Sequence, residues 1–380
     1  METKQDLQAA NKNKLYRGEV VYVYVFDLAY DMKGMPTETL LSLPIQDYSA
    51  GQSKRSPKNA FFYRPRMIVL PGETKHGPHG EIKIRKSVKL FSVGAISIKV
   101  CVPFEVESLQ ELVSYHDTSF AAGSRLEDEV YKLAENILRE LIPYCIRPVT
   151  NLTQDEAYTI FCIYELPHST DGENICADDW LTTNRREVAG LLTEEQDSTQ
   201  LSEQEVEEST EQYLSYYNSD LVVVDWDAAL VVGKEENLDD VLHTMEMANV
   251  QLAELEVYDH ILDESLEMAY RDVARGRMPA RRNIYRNLRE INVDLARLSD
   301  ELLNTTKFFG DWYLAKIFEN LAGRFHLGDW HGSIDEKLKT LGDLYQILQQ
   351  DRVNLWMIIL EVTIVLLFII DVIILLMPVK

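Results

Sequence analysis

Residues 355–377 read LWMIILEVTIVLLFIIDVIILLM, and this stretch sets the broad class of the chain. At about 1.5 Å of rise per residue it makes roughly 34 Å of helix, enough to cross a hydrocarbon core of about 30 Å. Seventeen of its 23 residues are Leu, Ile, Val or Phe, each favouring insertion by about 0.3–0.6 kcal/mol near the bilayer centre. Glu361 and Asp371 oppose insertion, at roughly 2.5–3.5 kcal/mol for an acid at mid-membrane and less toward an interface. The balance predicts a single C-terminal transmembrane helix, a tail anchor followed by Pro378, Val379 and Lys380. Lys337, Lys339 and Arg352 on the near flank predict that everything ahead of the span lies on the cytoplasmic (or organelle matrix) side. For Glu361 and Asp371 the readings are a contact with another span, a transport role, or protonation near the interfaces.

The chain has 380 residues, 38 Lys+Arg against 62 Asp+Glu, and a formal net charge of −24. That charge argues against binding nucleic acid or anionic lipid through the surface at large. Cys101, Cys145, Cys162 and Cys176 are widely spaced without a CxxC pair, the pattern of reduced thiols rather than of a disulfide framework or zinc site.

Ahead of the span, residues 19–27 (EVVYVYVFD), 60–70, 80–85, 88–103 and 158–166 are rich in β-branched and aromatic residues. In the fourth of these, Ile96, Ile98, Val100 and Val102 alternate with Ser97, Lys99 and Cys101, the period of a half-buried strand. Leu126, Val130, Leu133, Ile137 and Leu141 mark an amphipathic helix. A flexible N-terminus over 1–17 and an α+β domain over 18–167 follow from this. Residues 168–219 read as an acidic linker, since 193–212 hold eight acids and no base. LVVVDWDAALVV at 221–232 predicts one or two strands returning to the sheet, within 220–235.

Residues 236–354 read as a helical hairpin or bundle. Leu238, Val241, Met245, Ala248, Leu252, Leu255, Leu262, Leu266, Ala269 and Val273 form one seam, with Asp259 at one of its positions. Gly276 and Pro279 interrupt it, and Ile284, Leu288, Ile291, Leu295, Leu298 and Leu302 continue it, predicting an antiparallel pair. A helix over 311–325 with Trp312, Ala315, Phe318, Leu321 and Phe325 inward comes next. A turn at HLGDWHG (326–332) leads to a last helix that runs on into the span.

P-loop, GxGxxG, GxSxG and HExxH motifs are absent. His326, Asp329 and His331 bring nitrogen and carboxylate donors within six residues, a weak candidate for a metal set; the plainer reading is a turn joining two helices. The strongest polar feature is YRDVARGRMPARRNIYRNLRE (270–290). Arg271, Arg275, Arg277, Arg281, Arg282, Arg286 and Arg289 stand at the expected hairpin tip, where guanidinium groups suit phosphate or carboxylate. RNA, a ribosome or an acidic protein is the expected partner, with local pairing to Asp272 and Glu290 the alternative.

FFGDWYLAKIFENL (308–321), DEKLKTLGDLYQILQQDRVNLW (335–356), the hairpin and the acid-bearing span together resemble a domain-of-unknown-function family of sporulation proteins. That family includes the homologues of the required for meiotic nuclear division protein 1. VKLFSVGAISIKVCVPFEVESLQELV (88–113) is similar to its phenylalanine-plus-glycine strand and following helix. The resemblance implies a single-span protein supporting organellar translation and no catalytic residues. The expectation is a membrane-anchored, non-enzymatic scaffold or tether without a cofactor, contacting the bilayer and a protein partner or a second copy. The alternatives are a metal-dependent hydrolase using His326, Asp329 and His331, and an accessory subunit of a membrane complex.

Overall fold

The computed structural model describes residues 15–48, 65–77, 80–91, 94–118, 125–149, 152, 156–166, 176–274 and 312–376. It is a mixed α+β structure with one large sheet and several helices. Its strands are β1 (Tyr16–Asp27), β2 (Ala29–Met32), β3 (Thr39–Leu40), β4 (Leu43–Pro44), β5 (Gln46–Asp47), β6 (Arg66–Val69), β7 (Glu73–Gly77) and β8 (Gly80–Leu90). After them come β9 (Ala95–Val106), β10 (Cys145–Pro148), β11 (Glu156–Glu165), β12 (Tyr213–Leu214), β13 (Leu221–Val224) and β14 (Ala228–Val232). The helices are α1 (Leu109–Val113), α2 (Leu126–Leu141), α3 (Ala177–Leu192), α4 (Glu203–Glu211), α5 (Glu235–Ala274), α6 (Trp312–Arg324) and α7 (Leu327–Leu376).

Among the described residues the large sheet has ten strands, in the order β12-β13-β14-β11-β1-β9-β8-β6-β5, with β7 also on β8. Its pairs are antiparallel except β11–β14. A parallel pair needs a crossover, and the crossover here carries α3, α4, β12 and β13. The stretch expected to be a linker is therefore, where described, part of the folded unit. Trp180, Leu181, Val188, Leu191 and Leu192 are buried in the main core, and each large apolar side chain so placed contributes about 1.5–3 kcal/mol. The acids of 193–212 decorate the outside of that packed layer, so their number says little about order. The sheet likewise runs past residue 167 to Val232, through the β13–β14 hairpin.

The main core lies on one face of the sheet. Val20, Tyr22, Tyr24 and Phe26 of β1 and Ile96, Ile98, Val100 and Val102 of β9 join Leu109 and Leu112, Val130 and Ile137 of the covering helices. The other face was expected to be solvated. Instead Val21, Val23, Val25, Ser97 and Cys162 are buried too. Lys89 on that face is paired with Glu246 and His243 of α5, and Tyr158 meets Phe325 just after α6, ring centroids 5.3 Å apart. β1 is thus a central strand covered on both sides, which its near-continuous apolar run fits.

The described residues group into two compact units, one within Met1–Val257 and Glu301–Gly328, the other within Tyr258–Asp300 and Asp329–Lys380. In the first, Ala315, Phe318, Leu321 and Phe325 are buried as expected, whereas Trp312 points outward at 67% exposure. In the second, Lys337 forms ion pairs with Asp259 and Asp263, each at 2.7 Å, which explains an acid in the α5 seam. HLGDWHG is not a loop: the turn is confined to Phe325 and His326, and α7 begins at Leu327. Gly328 and Gly332 cost about 1 kcal/mol each in a helix, and the burial of Leu327, His331 and Ile334 offsets that. From there α7 continues for 50 residues. The expected second arm of the hairpin, 284–302, lies outside the described residues.

Candidate functional site

Six separate segments build a polar cleft of about 350 Å³ in the first unit. Tyr22 and Tyr24 come from β1, and Ala157 and Thr159, their register partners, from β11. His116, Asp117 and Thr118 follow α1, Arg125 and Glu127 open α2, Glu194 follows α3, and Asp227 sits in the β13–β14 turn.

Tyrosine hydroxyls and the one histidine hold this wall together. The buried Tyr22 hydroxyl donates to the Tyr115 carbonyl and lies 2.6 Å from Thr118 Oγ1, fixing the turn after α1. Burial raises the Tyr22 phenol far above its ordinary range. His116 Nε2 donates to the Leu191 carbonyl at 2.7 Å, and its Nδ1 lies 3.0 Å from Glu194 Oε1. The ring also meets Phe161 edge-on at 4.9 Å. Glu194 reaches it from a left-handed backbone, φ 60°, a conformation disfavoured for a residue with a Cβ. Burial, then the charge of Glu194, raises the Asp227 carboxyl above the usual carboxylate range. Tyr24 stacks on Tyr22 at 6.4 Å between centroids and is 7% exposed. Burial, then the charges of Glu127 and Asp117, keeps its phenol neutral.

A second constellation is sealed between sheet and helix. Lys89 of β8 is 2% exposed and pairs with Glu246 of α5, itself 1% exposed; His243 Nδ1 is 3.2 Å from the same ammonium. The Tyr48 ring lies 3.8 Å below Lys89 Nζ. Burial, then the neighbouring Lys89, pushes His243 down to about 4, so it is neutral at pH 7. Burial raises the Glu246 carboxyl, but the Lys89 ammonium and the His243 hydrogen bond outweigh it and leave the group below the usual range. Among the described residues Lys89 is enclosed, and its pairing ties α5 to the sheet.

A third contact pins α6. Arg324 meets Asp225 Oδ1 at 2.7 Å and donates to the Glu208 carbonyl at 2.7 Å. The Tyr158 hydroxyl donates to the Asp225 and Ala228 carbonyls.

None of these three constellations was singled out from the sequence. His326 caps α6 with φ 50°, and Asp329 and His331 stand on the first turns of α7. Among the described residues no group of three or more His, Cys, Asp or Glu is disposed to hold a metal ion, so these three do not form the suggested ligand set. Arg271 pairs with Glu267 one turn earlier at 3.3 Å, the local alternative. Arg275, Arg277, Arg281, Arg282, Arg286 and Arg289 lie outside the described residues. Glu361 and Asp371 sit on α7 within a stretch, Trp356–Ile373, of mean hydropathy 2.6 of which none is buried.

Residues 17–239 match the family described as "Uncharacterized protein MJ0711, N-terminal domain", and the chain belongs to that family. It is similar to Uncharacterized protein MJ0711 of Methanocaldococcus jannaschii, 23% identical over 252 residues that cover 64% of this chain and 73% of that protein. No solved structure matches. The resemblance to the sporulation family is thereby corrected. The match begins at the first strand and covers the whole sheet, whereas the resemblance rested mainly on the helical region and the apolar span, with only the 88–113 strand and helix from the sheet. Such seams arise wherever a helix packs along one stripe, so they identify no family.

Proposed function

We infer that this is a single-span membrane protein that holds its α+β domain at one face of a bilayer as a non-enzymatic scaffold or tether for a protein partner. The observation carrying this is Trp356–Ile373: helical, mean hydropathy 2.6, none of it buried. Leaving such side chains in water costs on the order of 1.5–3 kcal/mol for each large apolar residue, and a bilayer removes that cost. The basic flank Lys337, Lys339 and Arg352 supports placing the domain on the cytoplasmic or matrix side. The support of organellar translation that the corrected resemblance implied is dropped, while the arginines that suggested an RNA or ribosome contact lie, apart from Arg271, outside the described residues.

Glu361 and Asp371 favour one second reading, lateral pairing with another span, because acids within hydrocarbon are commonly paired. The test is purification from membranes in mild detergent after crosslinking inside the bilayer. A stoichiometric partner held through the soluble domain supports the scaffold, and one lost in Glu361→Leu/Asp371→Leu supports lateral pairing. Full extraction of the chain by alkaline carbonate would refute both.

A further inference from the structure

We propose that the polar cleft of the first unit is a binding site for an organic cation, a primary ammonium group presented by a small polyamine or by a lysine side chain. The inference stands apart from membrane anchoring. Four carboxylates line the cleft: Asp117, Glu127, Glu194 and Asp227. Glu194 is engaged by His116. Asp117, Glu127 and Asp227 form no ion pair with any described residue, and against them the lining offers Arg125 and His116, the latter already engaged by Glu194. Like charges gathered around a concavity, one of them carried on a strained backbone, leave a place where a positive charge is stabilised by the surrounding walls.

Tyr24 points to the ligand independently. Its side chain is more than nine-tenths buried, it lines the cleft, and its hydroxyl has no hydrogen-bond partner among the described residues. The hydroxyl is not sealed in the core but open to the cleft. A phenol oxygen facing the cleft beside Glu127 and Asp117 can accept an N–H from a bound ammonium while the carboxylates accept the others. A small hard metal ion would need several oxygens converging at about 2.0–2.6 Å, and no such group is present among the described residues. An ammonium accepts longer, looser contacts at about 2.7–2.9 Å, and a cleft of about 350 Å³ is within the size range of small-molecule sites.

Titration calorimetry on the full chain in nanodiscs, at physiological salt, tests this with spermidine, with N-acetyl-lysine amide, and with Mg²⁺ and Ca²⁺. The chain's charge of −24 attracts cations everywhere, so the variants decide. Saturable spermidine or lysine-amide binding should weaken at least tenfold in Glu127→Gln/Asp227→Asn, which hardly alters the net charge. It should weaken several-fold in Tyr24→Phe, a variant that keeps the packing. Spermidine alone binding identifies a free polyamine; the lysine amide binding as well identifies a peptide side chain. Equal binding by all three proteins, no saturable binding of either amine, or tighter binding of the metal ions overturns the proposal.

Discussion

Gly18→Ala unfolds the protein at temperatures where the parent is intact. Gly18 sits in β1 at a shift in the β1–β11 register, between Arg17 and Gly18. A Cβ built there would lie 1.8 Å from the Cys162 carbonyl oxygen and 3.0 Å from Phe104 Cζ. The first of these is backbone of a central strand and cannot rotate away, so one strand must move and the ladder to both neighbours with it. A loss above about 4 kcal/mol is expected, the class of effect tied to a specific steric or burial failure. Gly34, with nothing within 4 Å of its would-be Cβ, is the control: Gly34→Ala should change stability by less than about 1 kcal/mol. Thermal unfolding followed by circular dichroism in detergent compares the two. Equal midpoints would show that the strand register described here is wrong.

Glu246→Ala should be nearly as damaging, by about 3–5 kcal/mol, because it leaves the Lys89 ammonium buried without its partner. Lys89→Met/Glu246→Leu, which removes both charges and keeps the volume, should lose far less than the sum of the single variants. The same cluster makes stability depend on pH through His243. Its folded pKa is lowered to about 4 from 6.5. As pH falls below about 6.5 the unfolded chain takes up the proton and the folded one does not, so stability drops until about pH 4 and the loss is then complete. The fall amounts to about 3 kcal/mol at most. In His243→Gln this part of the slope should vanish, and denaturant titrations at pH 7.0 and 4.5 read it directly. An unchanged slope would place the titrating group elsewhere.

Patterns local in sequence were legible; arrangements made by topology were not. The alternation at 96–102 marks β9, and the apolar spacing at 126–141 marks α2, because each face choice is written within a few residues. Asp259 in the α5 seam is one end of an ion pair to Lys337, 78 positions away, a partner that no local pattern shows. Ser97 reads as solvent-facing because period-2 patterning reports what is polar, and nothing local announces that this position will be buried. The acidic run at 193–212 hid the apolar face of α3 just before it. The cleft draws on residues from 22 to 227, none of them in a recognisable spacing. Trp312, a large aromatic in a helical seam, was placed inward on hydrophobicity alone and faces outward.

Flotation with lipid vesicles tests the central claim most directly. In a sucrose gradient at high salt, which removes electrostatic adsorption, the full chain should rise with the vesicles, while a chain ending at residue 354 should stay at the bottom. A full chain left at the bottom, or a shortened chain that rises equally well, would contradict an anchor in the 355–377 stretch.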